Sequence, residues 1–324
     1  MCFSHELFSR SIGLVSLNRQ LPATLPSDII GRYLIWRIAM ARLNRIIERF
    51  EHGKPAFGAW VNNGNLDDTI WVTDSGYDYC LIENEHHGLD FSKLRTTLQA
   101  LISRKRILET GSLQAHPTPI VRVTPNTREQ NQWIIKHTLD LGPYGVMMPV
   151  LETVEDAKAA VVASRYPQRQ GVSDYEPKGE RGWHPHDFAV RYWGLSVEEY
   201  TEKADLWPLD PDGELLIIGI IETVKGIRNL RDILEQVRGI GVIMAGAGDL
   251  SVDMGLGGAA TEHKDVQEAI LEVLKVCKQN GVPCATGARN PTEVDKRLEE
   301  GFTMLTDMQT KPSAMIDHAR KVSG

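Results

Sequence analysis

From Lys54 onward the chain alternates between two hydrophobic rhythms. Short runs, several of them almost wholly apolar, are separated by stretches in which leucine, isoleucine and valine return every third or fourth position. The short runs are Phe57–Asn62, Tyr79–Glu85, Pro119–Val123, Gly145–Val150, Leu215–Glu222, Gly241–Gly248, Pro283–Ala288 and Phe302–Asp307. A strand covered on both faces must be apolar throughout, so these runs predict a shielded parallel sheet. The intervening periodicity predicts helices at Leu94–Leu101, Glu129–Leu139, Val154–Ser164, Lys225–Glu235, Val266–Gln279 and Pro291–Glu299. Gly142, Gly281 and Gly301 follow helical stretches, where a residue able to turn left-handed ends a helix cheaply. Eight strands with helices between them predict a single closed (β/α)8 TIM barrel; an open doubly wound sheet is the alternative.

Two segments interrupt the rhythm. Residues 165–213 bring aromatic, proline and charged positions into one long insertion. A connection of that length usually serves as a lid or an interface element. Residues 1–39 carry Arg10, Arg19, Arg32 and Arg37 against Glu6 and Asp28, a weak likeness to a targeting segment. The plainer reading starts the protein at Met40, because MARLNRIIERF opens an amphipathic helix. The expected organisation is therefore a 1–39 extension followed by a barrel over 40–324.

Composition narrows the function classes. A net charge of −7 over 324 residues argues against a general nucleic-acid or membrane-surface binder, although a small anionic substrate reads only local charge. The four cysteines (Cys2, Cys80, Cys277, Cys284) form no CxxC pair, which points away from a disulfide framework or a zinc knuckle and toward a reduced, cytoplasmic setting. No apolar run approaches the roughly 20 residues that a membrane helix needs.

In a barrel of this kind chemistry gathers at the carboxyl ends of the strands, and charge falls there repeatedly. CLIENEHHGLDF ends an apolar run in Glu83, Glu85, His86 and His87. PIVRVTPN delivers Arg122, LLIIGIIETVKG ends in Glu222, and GVIMAGAGDLSVDMG runs into Asp249. Each has a bland explanation: Glu222 could serve a helix dipole, Asp249 could cap a helix, and Arg122 could form a structural salt bridge with Glu85. Two acidic residues at neighbouring strand ends nevertheless suit a hard divalent ion better than two separate caps. The small residues Gly246, Ala247 and Gly248 would let the backbone approach a carboxylate or phosphate. A histidine beside carboxylates is oriented and made more basic, as a general base needs. An inward arginine requires an anionic partner, and a substrate carboxylate or enolate oxygen would be one.

Taken together, FGAW, DYCLIENEHHGLDF, PIVRVT, GVMMPVLETVEDAKAAVVASRYP, GERGW, IIETVKGIRNL and GAGDLSVDMG resemble the HpcH/HpaI aldolase family. These are the class II pyruvate aldolases of the phosphoenolpyruvate/pyruvate barrel superfamily, and the likeness runs from about Arg42 to Arg320. The resemblance implies a metal-dependent carbon–carbon lyase that cleaves a 4-hydroxy-2-oxo acid reversibly into pyruvate and an aldehyde through an enolate. It implies Glu222 and Asp249 as ligands of a divalent ion, Mg2+ or Mn2+ with Co2+ also admissible. Residues Gly248 and Asp249 would cup the substrate carboxylate. Arg122 would stabilise the enolate oxygen, and His86 would be the base, with Glu83 and Asp140 as its carboxylate partners. Trp60 would line the pocket, and Arg181 occupies the family's RG position beside the substrate. No lysine stands at any of these places, which fits the metal route rather than a Schiff base. The superfamily also implies a homo-oligomer, a hexamer or trimer of dimers, with the apolar tail helix around Ala314–Ala319 compatible with exchange between subunits.

Three departures stand out. Glu83 replaces an Asp common in the family, Ile220 replaces a glutamine two before the metal Glu, and the insertion adds Trp183, His184 and His186. The longer loop puts the aldehyde acceptor in question. Oxaloacetate decarboxylation through the same enolate is one alternative. A catalytically silent barrel serving as a binding subunit is another.

Overall fold

The computed structural model describes residues 42–324, apart from 116, 126–128, 130, 173–175, 185–186 and 259. The expectations for residues 1–39, for Met40 and for His186 fall outside these residues. Eight strands close in sequence order into one parallel barrel: β1 (Ala56–Asn62), β2 (Tyr79–Glu83), β3 (Thr118–Arg122), β4 (Gly145–Met148), β5 (Leu216–Ile221), β6 (Val242–Ala245), β7 (Cys284–Gly287) and β8 (Met304–Asp307). Each coincides with an apolar run of the sequence to within a few residues at either end. The doubly wound alternative is excluded by β1 pairing with β8, with Ala56 opposite Met304 and Ala59 opposite Asp307.

Side chains alternate across each strand, and the two faces serve different cores. Ala56, Tyr79, Leu81, Ile120, Met147, Leu216, Ile218, Ile220, Val242, Met244, Ala285 and Met304 fill the barrel interior. The opposite faces, including Phe57, Cys80, Ile82, Val121, Val146, Ile217 and Ile243, pack with the helices into a larger outer core. Burying a side chain of this size contributes roughly 1.5–3 kcal/mol, so the apolar character of the strands is what holds both layers. Gly58 fits the interior for a specific reason: a Cβ there would come within 2.2 Å of the Tyr79 ring. That ring crosses the barrel and donates its hydroxyl to the Leu305 carbonyl at 2.8 Å.

The helix Arg45–Glu51 closes the end from which the strands start. Asn44 caps it, its Oδ1 accepting from Ile46 and Ile47, and those two isoleucines complete the interior cluster. The sequence placed a helix here; its first turn begins at Arg45 rather than at Met40. Beneath it, Asp78 accepts from Arg45 Nε at 2.8 Å and from the backbone N–H of Phe57 at 2.9 Å, and pairs with Arg320 at 3.0 Å.

The insertion gives the main correction. It links the end of the helix Val154–Ser164 to the start of β5, so it lies at the N-terminal end of the strands. Trp193 stacks on Tyr144 at 4.4 Å and donates to the Gly142 carbonyl, and Arg165 pairs with Asp205 at 2.6 Å. All of these sit where helices finish and strands begin. The described residues of the insertion that carry these contacts therefore lie away from their own barrel mouth and do not cover it. Among the described residues no helix is long and apolar enough to cross a membrane.

Candidate active site

At the C-terminal end of the strands the register gathers polar side chains from separate parts of the chain. Asn62 of β1 is opposite Glu83 of β2, and Glu83 is opposite Arg122 of β3. Alternation turns Trp60, Glu83 and Arg122 inward above the apolar interior. The Arg122 guanidinium lies 4.6 Å from the Trp60 ring centroid, donates through Nη2 to Glu83 Oε2, and holds Nε 3.3 Å from Glu85 Oε2. Both possibilities for this arginine are thus visible together: it faces the mouth, and it already has structural carboxylate partners, Glu85 among them.

Glu83 ties this pair to the following loop. Its Oε1 accepts from the backbone N–H groups of Glu85 at 2.6 Å and of His86 at 3.0 Å. The carboxylate beside the His86 ring is Glu85, whose Oε2 lies 3.5 Å from Nε2. That differs from the expected pairing with Glu83, which acts on the backbone of His86. Both oxygens of Glu83 are engaged with Arg122 and the loop amides, which leaves the next acidic residue to face the ring. Burial raises the Glu85 pKa, with Glu83 and Asp249 pushing the same way and Arg122 and His86 opposing. The His86 side chain is 61% exposed, open to an incoming molecule. His87 is also exposed.

Glu222 follows β5 and is only 5% exposed. Its Oε1 accepts from the backbone N–H of Val150 at 2.7 Å. Burial, reinforced by Asp249 and Glu85, pushes its pKa up to about 7 against the opposing Val150 bond and Arg122. Asp249 sits in the first turn of the short helix Ala247–Asp253, exposed toward the mouth, and Gly246 at the head of that helix supplies no side-chain cap. A Cβ on Gly246 would come within 2.9 Å of Glu222 Cβ and 3.1 Å of its Oε2, so glycine is what leaves this carboxylate room. Gly248 faces open space.

This donor set fits a hard divalent ion. A buried carboxylate whose pKa is raised by burial and by a neighbouring acid, as that of Glu222 is beside Asp249, is relieved by a cation between the two. Among the described residues no group of three or more His, Cys, Asp or Glu side chains forms a complete cage. The remaining ligands would be water and substrate oxygens, as is usual for Mg2+.

Val150 was invisible to sequence reasoning. It is the one non-glycine residue with positive φ among the described residues, at 52°, and its contribution is a backbone N–H. A β-branched residue in that region is a costly outlier, on the order of 1–3 kcal/mol. Nothing in a hydrophobic pattern signals it.

Asp140 and Arg181 are not brought to this mouth. Asp140 ends the helix Gln132–Asp140, at the opposite end of the barrel, and accepts from Arg181 Nη2 at 2.9 Å. Arg181 is 1% exposed, lies 4.3 Å from the Tyr166 ring centroid, and donates to Tyr200 at 3.1 Å. Within one chain it is an internal support of the insertion rather than a substrate contact. The family sequence pattern marks both positions but cannot say which end of a barrel they occupy. Trp60, Glu83, His86, Arg122, Glu222, Gly248 and Asp249 do share the mouth.

Comparison with known proteins identifies the family of the chain and supports its fold. A 2-dehydro-3,6-dideoxy-6-sulfogluconate aldolase from Pseudomonas putida is 32% identical over 246 residues, 76% of this chain and 82% of its own. A hydroxypyruvate/pyruvate aldolase from Roseobacter denitrificans is 30% identical over 74% of this chain and 81% of its own. The crystal structure of a family protein from Burkholderia cenocepacia superposes with a TM-score of 0.67 at 23% identity, covering 86% of this chain and 95% of that one, and supports the barrel fold. Residues 57–307, nearly the whole barrel, match the HpcH/HpaI aldolase/citrate lyase family, and the chain belongs to it.

Proposed function

We propose that the protein is a divalent-metal-dependent aldolase that cleaves a 4-hydroxy-2-oxo acid into pyruvate and an aldehyde, and runs the addition in reverse. The observation that carries this reading is the buried Glu222 carboxylate, held by the Val150 N–H and given room by Gly246 at the head of the short helix that carries Asp249. Glu222 and Asp249 would hold the ion. When bound, it would act as a Lewis acid toward the 2-oxo group of the substrate.

The chain's own groups account for the remaining chemistry. His86 takes the proton from the C4 hydroxyl; the C3–C4 bond breaks, the aldehyde leaves, and the bonding pair passes into the enolate of pyruvate. Arg122 stands where negative charge grows on the enolate oxygen, and a donor so placed is typically worth roughly 3 kcal/mol. Glu83 and Glu85 fix the guanidinium, so its charge needs little reorganisation during the reaction. Protonation at C3 releases pyruvate. Since Asp140 lies at the far end of its own barrel, it could serve His86 only from a second copy of the chain. The proposed homo-oligomer would permit that.

The test is exchange of the pyruvate C3 hydrogens in D2O, first with chelator-stripped protein and then with added Mg2+ or Mn2+. Exchange that returns with metal supports the enolate half-reaction without any knowledge of the aldehyde. Absence of exchange with every ion would sink the pyruvate reading.

A further inference from the structure

We infer that Asn63 is a positioning residue for the base, because its amide fastens both ends of the loop that carries His86. The inference rests on the reading of His86 as the base. Residues 84–90 leave β2 without regular secondary structure and include Gly88 at φ 85°. The His86 ring is mostly exposed, and Glu85 at 3.5 Å is its carboxylate neighbour. Its location is therefore decided mainly by the loop backbone.

That backbone is held at two levels. Glu83 grips the first turn through the amides of residues 85 and 86. Asn63, in the turn after β1, spans the whole loop: its Nδ2 donates to Asn84 Oδ1 at 2.6 Å and to the Asp90 carbonyl at 3.1 Å. The Asp90 carbonyl can only accept, so the amide must present its nitrogen to the loop. Its other face is fixed as well. Asn63 Oδ1 accepts from the buried hydroxyl of Thr97 at 3.3 Å, and that hydroxyl accepts from the Gly64 N–H at 3.0 Å. Asn84 is fully buried, and its Nδ2 has no acceptor among the described residues. An orphaned buried donor is costly, so the pairing of its oxygen with Asn63 has to outweigh that loss. Asp90 also caps the helix Phe91–Ala100 through Lys93 N, which anchors the far end of the loop to a rigid element.

A displacement of about 1 Å in a reacting group can cost on the order of 100-fold in rate. Removing the clamp should move His86 without disturbing Glu222, Asp249 or Arg122. The experiment compares wild type with Asn63→Ala, and with the milder Thr97→Val, which frees the amide but leaves Asn63 in place. Amide hydrogen exchange over residues 85–89 should accelerate at least tenfold in Asn63→Ala, by loss of two hydrogen bonds, while the strands keep their protection. With pyruvate, Mn2+ and glycolaldehyde as probes, kcat for addition should fall roughly 10- to 100-fold with KM for pyruvate unchanged. The His86 ring resonances should broaden or shift. Thr97→Val should follow in the same direction with smaller changes. Unchanged loop exchange, or an addition rate within twofold of wild type, overturns the inference. A wild type that turns over no 2-oxo acid takes down the functional reading, and the positioning role with it, and that result is distinct from an active wild type matched by an active variant.

Discussion

At the N-terminal end of the barrel Asp78 lies between Arg45 and Arg320, Asp140 is joined to Arg181, and Arg165 to Asp205. At the C-terminal end, among the described residues, Glu83, Glu85 and Glu222 share the guanidinium of Arg122, and Asp249 adds its charge to Glu85 and Glu222. The first group is balanced within the chain, and its role is to lock the capping helix, the tail helix and the insertion onto the strands. Burial still matters there, since it raises the Glu214 pKa even with Arg42 and Lys203 beside it. The second group is short of positive charge. An excess of carboxylates left in place at one end is a standing cost, and a bound cation would remove it. The same barrel thus stabilises itself at one end and stores an electrostatic need at the other.

Breaking the unbalanced end should give the largest change. Glu222→Gln should cost more than about 1,000-fold in turnover, because the proposed ion would lose a primary ligand, while the metal-free protein keeps or gains stability at pH 7. Isothermal titration with Mn2+ and a melting curve read the two halves separately. A variant that binds Mn2+ like wild type would remove Glu222 from the proposed ion site.

Breaking the balanced end should do the reverse. Asp78→Ala removes the buried carboxylate shared by Arg45 and Arg320, which keep only Gln114, Glu48 and the Gly76 carbonyl, and leaves the Phe57 N–H without its acceptor, so it should lower stability by about 3 kcal/mol. Denaturant unfolding measures this. The kcat of the folded fraction should stay within about twofold of wild type, since the site is at the other end.

The smallest effect sharpens the contrast by pH alone. The Glu222 carboxyl is raised in the folded protein from its ordinary 4.5 to about 7. Its stabilising contribution in the protonated form is complete below pH 4.5 and is lost as pH rises through 7. That loss in the metal-free protein amounts to roughly 3 kcal/mol. Stability measured from pH 4.5 to 8 should show this decline in wild type and a flatter curve in Glu222→Gln. Saturating divalent ion should reverse the trend, because the ion binds the ionised carboxylate and the folded state only. A wild-type decline that persists unchanged in Glu222→Gln would assign it to other groups.

Much of this molecule is legible in the chain itself. The strand runs could be located to within a few residues because a strand buried on both faces admits almost no polar side chain, and the charge at or just after the ends of several runs marks the barrel mouth. Glu83, Arg122, Glu222 and Asp249 were identifiable for that reason. The family pattern also marked Asp140 and Arg181; each stands between a predicted helix and the next strand, which puts it at the far end of the barrel, a consequence that matching motifs does not draw. Of the two roles its length suggests, lid or interface element, the attachment of the insertion between a helix end and a strand start speaks against the lid. The choice of Glu85 over Glu83 beside the His86 ring followed from both oxygens of Glu83 being occupied. Val150 and Asn63 were hidden for a further reason: one contributes a backbone N–H in a strained conformation, the other an amide that meets its partners only after three segments have folded together. Hydrophobic periodicity is a local property and survives in the sequence; which donor meets which acceptor depends on closure of the barrel, and tertiary structure alone decides it.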